Sequence, residues 1–281
     1  MAVRHKFELK QAMELAFRDY HHGKRSQLDP ISLVYPFKDP KDREVVAFLV
    51  ALIAYGNVGT ILKSGEKLLT PLGASPFTYL INGGSLNLWP DFKHRFTRGV
   101  DIEIVSHWLR NVLREYGSIE NCFIQASGPS TSPMKHKLSA FVKRMWAQPL
   151  PGILKPTLNL RKRNLKYLLS NPEDGSACKR LNMFLRWVVR PKDGVDLGLW
   201  KSIFPSELML PLDTHLIQTL KNLKWIRTEN TNWKTVEAVT EKLRSLSAQD
   251  PIRYDFALCH LSMSGGNFEN YQKISRALEA K

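Results

Sequence analysis

Apolar residues recur along this chain mostly at three- and four-residue spacing and almost never in strict alternation, which predicts helices and nearly no strand. Over residues 5–20 the apolar side chains are Phe7, Leu9, Met13, Leu15, Ala16 and Phe17, an amphipathic first helix whose role is packing. Asp39-Pro40 then offers an N-cap with proline at the first helical position. The run 45–55 that follows is apolar almost all round, so it is predicted as the central buried helix, stopped at Gly56 with Asn57 emerging at its end.

The pattern continues with a basic amphipathic helix over 60–70, a helix start at Ser75-Pro76 and a turn at Gly83-Gly84. Residues 101–116 carry Ile102, Ile104, Val105, Trp108, Leu109, Val112 and Leu113 on one face, and Gly117 ends that helix. Segment 126–133 is the most linker-like stretch, and Ser132-Pro133 begins a helix to Trp146. After an exposed break at 149–152, a short basic helix over 161–170 leads into a hairpin over 171–179. The next helix, 176–190, buries Leu181, Phe184, Leu185 and Val188. Beyond Asp213 come a helix to Leu223, one over 233–246, and one opened by Asp250-Pro251 and running to Met263. There is no internal repeat, and the fold class is all-α, about a dozen helices.

Composition places this pattern in a globular protein. The 281 residues are 43% hydrophobic with seven tryptophans, enough for one large domain or two intimately packed lobes. Lys and Arg number 41 against 26 Asp and Glu, a net charge of +15 that favours a polyanionic partner. No acidic residue occurs from 121 to 172, where Lys135, Lys137, Lys143, Arg144, Lys155, Arg161, Lys162, Arg163 and Lys166 all fall. A solvated face usually mixes signs, so this window reads as a phosphate-binding surface, with an anionic membrane surface as the competing reading. No apolar run approaches a bilayer span, and the N-terminus lacks a signal-peptide layout, so no membrane role is expected. Cys122, Cys178 and Cys259 are scattered and odd in number, which argues for a reducing cytoplasm. No C-x-x-C or H-E-x-x-H pattern appears, so neither a metal nor another cofactor is expected.

Two residues stand out chemically. Lys179 sits just inside a helix start, and Asp213 lies in Pro211-Leu212-Asp213-Thr214-His215. An amine can attack the anomeric carbon of a sugar while a nearby carboxylate stabilises positive charge and moves protons. Taken singly, such a lysine is most often a solvated charge and Asp-Thr a plain N-cap.

The two elements together resemble the helix-hairpin-helix superfamily of DNA glycosylases that includes endonuclease III. In that superfamily a Leu-Pro-Gly-x-Gly-x-Lys hairpin presents a catalytic lysine, and a later Val-Asp-Thr-His opens a helix with the catalytic aspartate. Here Gly175 and Lys179 match the first element, and Leu212-Asp213-Thr214-His215 the second. The segment 50–57, ending Ala54-Tyr55-Gly56-Asn57, is similar to the buried helix that ends with Gln or Asn near the lesion. Ala177 stands where the second hairpin glycine is expected, and Asp213 follows Lys179 by 34 positions, a longer gap than in endonuclease III-like enzymes. The insertion, 190–210, is more like the archaeal 8-oxoguanine DNA glycosylase branch (AGOG), which lacks the iron-sulfur cluster. The stretches 179–190, 195–200 and 254–258 also resemble a bacterial family catalogued as a domain of unknown function.

The resemblance implies a two-lobed helix-hairpin-helix glycosylase-like fold for 1–281 as a single unit, with its hairpin and catalytic segment at 161–224. It implies a DNA glycosylase with AP lyase activity, removing an oxidised purine such as 8-oxoguanine from double-stranded DNA through a lysine Schiff base, in base excision repair. Lys179 would be the nucleophile and Asp213 the stabilising carboxylate. Arg180 and the helix N-terminus would draw down the lysine's proton affinity, and burial would do the same. Asn57 would lie at the lesion, Gly175 and the hairpin N–H groups at phosphate, and Arg161, Lys162 and Arg163 along the DNA backbone. His215 would orient backbone or phosphate, or serve only as a structural histidine. Trp187, Trp200, Phe204 and Trp225 are candidates to stack on a base or to fill the core. The alternative is a non-catalytic nucleic-acid-binding protein on the same fold. Nothing demands more than a monomer, and the location expected is cytoplasmic, on the nucleoid if bacterial.

Overall fold

Asp39 and Pro40 start the central helix as their chemistry requires: the Asp39 carboxylate accepts from Lys41 N at 2.8 Å and proline occupies the first turn. This helix is α3 in a computed structural model that describes residues 2–85, 87–227 and 231–279. Among those residues the elements are α1 (Ala2–Tyr20), α2 (Gly23–Ser26), α3 (Pro40–Ile53), α4 (Val58–Leu69), α5 (Pro76–Ile81) and α6 (Gly99–Tyr116). There follow α7 (Ile119–Ala126), α8 (Met134–Trp146), α9 (Lys155–Leu168), α10 (Lys179–Val189), α11 (Thr214–Asn222), α12 (Trp233–Leu246), α13 (Asp255–Met263) and α14 (Phe268–Glu279). Two antiparallel strands of two residues each, β1 (Lys93–His94) and β2 (Thr97–Arg98), are joined by a turn at Arg95-Phe96. The protein is therefore all-α.

Every residue of α3 from Glu44 to Ile53 is buried, and α10, buried from Arg180 to Val189, packs along it. The first helix closes on the last ones, since α1 packs on α13 and α14, and α13 packs on α11. One continuous hydrophobic core runs through these contacts, from Leu9 to Phe268. Among the described residues no helix is long and apolar enough to cross a membrane.

Several boundaries differ from the sequence pattern for local reasons. The central helix stops at Ile53 because Tyr55 turns away, its hydroxyl bonded to Thr97 Oγ1 at 2.7 Å and to the His94 carbonyl at 2.9 Å. The basic helix expected from 161 starts at Lys155, where Pro156 favours a first turn. Helix α10 starts at Lys179 rather than 176, because Gly175 (φ +82°) and Cys178 (φ +47°) are both left-handed. Residues 251–254 form turns, so the helix expected from Asp250-Pro251 begins at Asp255. Helices α7 and α14 carried too short or too polar a stripe to be predicted.

The insertion over 190–210 is packed rather than loose. Leu197 N and Trp200 N donate to the Trp187 and Val188 carbonyls at 2.8 Å each, and the Trp200 indole donates to Glu44 Oε1 at 2.7 Å. Glu44 is itself buried and also accepts from Ile119 N and Glu120 N at 2.9 Å each, capping α7 from inside α3. One carboxylate thus joins α3, α7 and the insertion. Glu44→Ala leaves two buried donors and one part-buried donor without an acceptor and is expected to cost about 3 kcal/mol. Urea denaturation would show this as a lower midpoint, with Glu44→Gln, which keeps one strong acceptor, falling between the variant and wild type.

Candidate active site

The hairpin between α9 and α10 is built from its own side chains. Asn171 accepts from Glu173 N at 2.9 Å, and Pro172–Asp174 make one tight turn that ends at exposed, left-handed Gly175. A Cβ at Gly175 would meet nothing within 4 Å, so the backbone angle, not space, requires glycine there. Ala177 has ordinary backbone angles, and the second left-handed residue is Cys178, a conformation that costs a non-glycine residue about 1–2 kcal/mol. Its buried thiol donates to the Ser170 carbonyl at 3.3 Å, and burial pushes it up to about 11, which makes it a structural group. The N–H groups of Glu173, Asp174, Gly175 and Cys178 are all engaged within the hairpin, so these four are not the phosphate donors expected of it.

Lys179 follows directly, and its Nζ is ion-paired with Asp213 Oδ2. The sequence elements therefore meet in space although 34 positions separate them. Asp213 is buried and caps α11, its Oδ1 accepting from His215 N at 2.7 Å. Burial pushes its carboxyl up, but the Lys179 charge and hydrogen bond, with the His215 N–H, outweigh it and leave the group below its ordinary value. Asp213 is held as a carboxylate beside a lysine.

Both residues line a cavity of about 350 Å³, together with Asn57 and His215. Asn57 caps α4, accepting from Gly59 N at 2.9 Å. His215 lies exposed on the first turn of α11 and its carbonyl accepts from Ser262 Oγ at 2.9 Å. Four of the predicted site residues thus share one cavity.

The predicted cations divide. Arg180 is buried on the opposite side, donating to the Leu52 carbonyl at 2.6 Å and to the Tyr167 carbonyl, with its guanidinium 4.1 Å from the Tyr167 ring centre. It ties the ends of α3 and α9 to the start of α10, so it neither reaches a phosphate nor stands beside the Lys179 amine as expected. Arg161 is bound to buried Asp101, at 2.8 Å through Nε, and to the Phe96 carbonyl at 2.9 Å, where it fixes the β1–β2 turn. Lys137 pairs with Glu207, Lys143 with Glu173 at 2.6 Å, and Arg144 donates to the Tyr116 hydroxyl. Lys155, Lys162, Arg163 and Lys166 remain exposed on α9. Trp187 and Trp200 are core residues, Phe204 is exposed, and neither these nor Trp225 lines the cavity.

Other cavity residues were missed. Met183 and Arg186 follow Lys179 at helical spacing on α10, Asp29 precedes the tight turn Pro30–Leu33, and Asp255, Phe256 and Cys259 come from α13. Arg186 Nη1 pairs with Asp255 at 2.5 Å and Nε with Asp196 at 3.2 Å, while buried Nη2 has no hydrogen-bond partner. Such an unmet donor costs about 1–3 kcal/mol. The available signal was an arginine inside an otherwise apolar helical face, which demands buried acids somewhere else in the chain. Next to cavity-lining Gly56, the Arg95 guanidinium lies 3.1 Å from where a Cβ on that glycine would stand, and exposed Phe96 stacks on Tyr55 at 5.1 Å. Among the described residues no group of three or more His, Cys, Asp or Glu is placed to hold a metal ion.

Compared with known proteins, residues 29–264 match the model of a family described as a protein of unknown function, DUF2400. The chain belongs to that family. No curated protein and no solved structure gives a significant match. The DUF2400 span takes in every cavity-lining residue except Leu28, and leaves α1, α2 and α14 outside.

The Asp213 pair has a pH signature in this DUF2400 chain. Its folded carboxyl binds a proton less readily than in the unfolded chain, so its stabilisation is complete above the unfolded value near 4 and is lost as pH falls through the lower folded value. Asp213→Asn is expected to lower stability at pH 7, with the gap to wild type narrowing below about pH 4. Urea midpoints at pH 7 and pH 3 measure both ends.

Proposed function

We propose that the protein is a DNA glycosylase with AP lyase activity on a two-lobed helix-hairpin-helix fold, acting on an oxidised purine such as 8-oxoguanine in double-stranded DNA. The observation that carries the reading is the Lys179–Asp213 pair set in a cavity beside Asn57 and His215. A surface lysine and a plain helix cap have no reason to meet in a cavity, whereas amine and carboxylate chemistry needs them in contact.

The exposed cations of α9 hold the phosphodiester backbone, and the damaged nucleotide is extruded into the cavity, because its anomeric carbon is out of reach inside the duplex. Phe96, exposed in the β1–β2 turn, offers a ring to the bases left stacked. Asp213 accepts the Lys179 proton, and the free amine forms a bond to the anomeric carbon as the bond to the base breaks. The base leaves with the electron pair and is protonated. Opening of the sugar yields an iminium, and loss of the neighbouring C2′ proton then expels the 3′ phosphate and cuts the strand. Asp213 gives the proton it took from Lys179 to the departing base, and the carboxylate restored in this way, the form the site favours, stabilises the iminium.

Borohydride is expected to trap wild-type protein covalently on DNA containing 8-oxoguanine. Lys179→Gln abolishes the trapped species, and Asp213→Asn slows its formation by about 10²–10⁴-fold. Absence of trapping by wild type across oxidised, alkylated and deaminated lesions would refute the reading. Lys162→Gln and Arg163→Gln each weaken duplex binding and lower the slope of log affinity against log salt by about 1, read by fluorescence anisotropy at several salt concentrations. Arg161→Gln, by contrast, changes thermal stability and leaves that slope in place.

A further inference from the structure

The outer side of α9 divides lengthwise. Lys155, Lys162 and Lys166, at i, i+7 and i+11, share one edge of the helix, and all three are exposed. Pro156, Leu160 and Tyr167, at i, i+4 and i+11, share a second exposed edge about a third of a turn round, while Leu165 and Leu168 face the core. Ile153, in the tight turn Gly152–Leu154 just before α9, precedes Leu160 by seven positions and continues the second edge. Ile153 and Leu160 are each 85% exposed. At the other end Tyr167 meets exposed Phe96, their ring centres 4.6 Å apart. From Ile153 to Tyr167 the chain advances about 21 Å, so an apolar strip of that length lies beside a row of cations.

Neither edge is satisfied by the chain itself. Lys155, Lys162, Arg163 and Lys166 form no ion pair among the described residues. A phosphodiester backbone answers the cations, but it offers Ile153 and Leu160 only charge and acceptors. Covering either side chain with an apolar partner is enough for about tenfold in affinity. What fits both edges is acidic and apolar at once. An anionic membrane meets that description, but a helix lying on a bilayer buries a broad apolar face, of the order of 100°. Pro156, Leu160 and Tyr167 cover about 40° of arc, and Arg163 is set beside them. A strip this narrow suits a single polypeptide segment. In an extended segment successive side chains point to opposite sides, one set to the cations and the other to the strip, and about seven residues span 21 Å.

We propose that α9 docks an extended segment of a partner protein in which acidic residues alternate with large apolar ones. Its carboxylates lie on Lys155, Lys162 and Lys166, and its apolar side chains on Ile153, Leu160 and Tyr167. This docking surface goes beyond the glycosylase reading and does not require it. Lys162 is also assigned to duplex DNA, so segment and duplex compete for α9.

The test uses the full chain and two fluorescein-labelled synthetic peptides of equal charge, one alternating Glu with Leu and the other Glu with Ser, followed by anisotropy. Wild type is expected to bind the Glu-Leu peptide at least about tenfold tighter than the Glu-Ser peptide. The double variant Ile153→Ser, Leu160→Ser is expected to bring the two within about twofold, with its melting temperature and its affinity for duplex DNA unchanged. Lys155→Gln with Lys166→Gln weakens both peptides alike, because it removes charge and leaves the strip. Equal binding of the two peptides by wild type overturns the proposal, since charge alone then accounts for the surface. A double variant that loses duplex affinity in step with the peptide overturns it in favour of a nucleic-acid face. One that keeps the peptide preference but no longer sediments with phosphatidylserine vesicles overturns it in favour of a membrane surface.

Discussion

A buried helix cannot carry cations without partners, and α10 with its C-cap residue carries four of them. Lys179 takes Asp213 at the start of α11, and Arg180 takes the carbonyl ends of α3 and α9. Arg186 takes Asp196 from the insertion and Asp255 from α13, and Arg190 takes Asp196 again with Asp250 at 2.9 Å and Asp193 at 3.3 Å. Asp193 in turn accepts from His21, just after α1, at 2.8 Å. The need to neutralise one helix therefore fixes where the insertion, α11, α13 and the end of α1 come to rest. Removing a single partner would strand a charge in the interior, which costs far more than an exposed ion pair contributes.

The same constraint explains the length of the insertion. A short link from α10 to Asp213 would bring that aspartate to Lys179 with nothing to satisfy Arg186 and Arg190. The longer path brings Asp193 and Asp196 to the two arginines, sends Trp200 to Glu44, and buries Val195, Leu197, Ile203, Leu208 and Leu210 along the way. The insertion is core, and it supports the cavity floor from behind.

Helix content was legible from apolar spacing, because α3, α6, α10 and α12 each carry a long stripe and a recognisable stop or start. The 3.6-residue pattern could not show that Ile53 ends α3, since that depends on the Tyr55 hydroxyl finding a turn some forty residues on. Pairing of Lys179 with Asp213 was legible only through the resemblance of two short elements, one on each side of a gap that no local rule bridges. The role of Arg180 was misread for an opposite reason. Its position beside a candidate nucleophile suggested an electrostatic neighbour, but successive residues on a helix point about 100° apart, and the direction that puts Lys179 in the cavity sends Arg180 into the core. Arg186, seven residues on, returns to the face of Lys179 by the same geometry.

The distribution of charge separates what touches the protein from what enters it. The chain carries +15, and α9 presents exposed Lys155, Lys162, Arg163 and Lys166 beside the hairpin. The cavity has the opposite balance, with Asp29, Asp213 and Asp255 against Lys179 and Arg186. Asp29 is held below the ordinary carboxylate value against the upward push of burial by His260 and Arg186, so the cavity wall retains that negative charge. An anionic group attracted to the surface would meet repulsion at the floor, and in a site this buried repulsion is poorly screened. The arrangement suits a polymer whose charge lies wholly on its backbone and whose heterocycles are neutral. On the proposed glycosylase reading, the backbone stays on the cations outside while an uncharged ring passes the Lys179–Asp213 pair, which would bring the sugar that joins ring to backbone level with the amine.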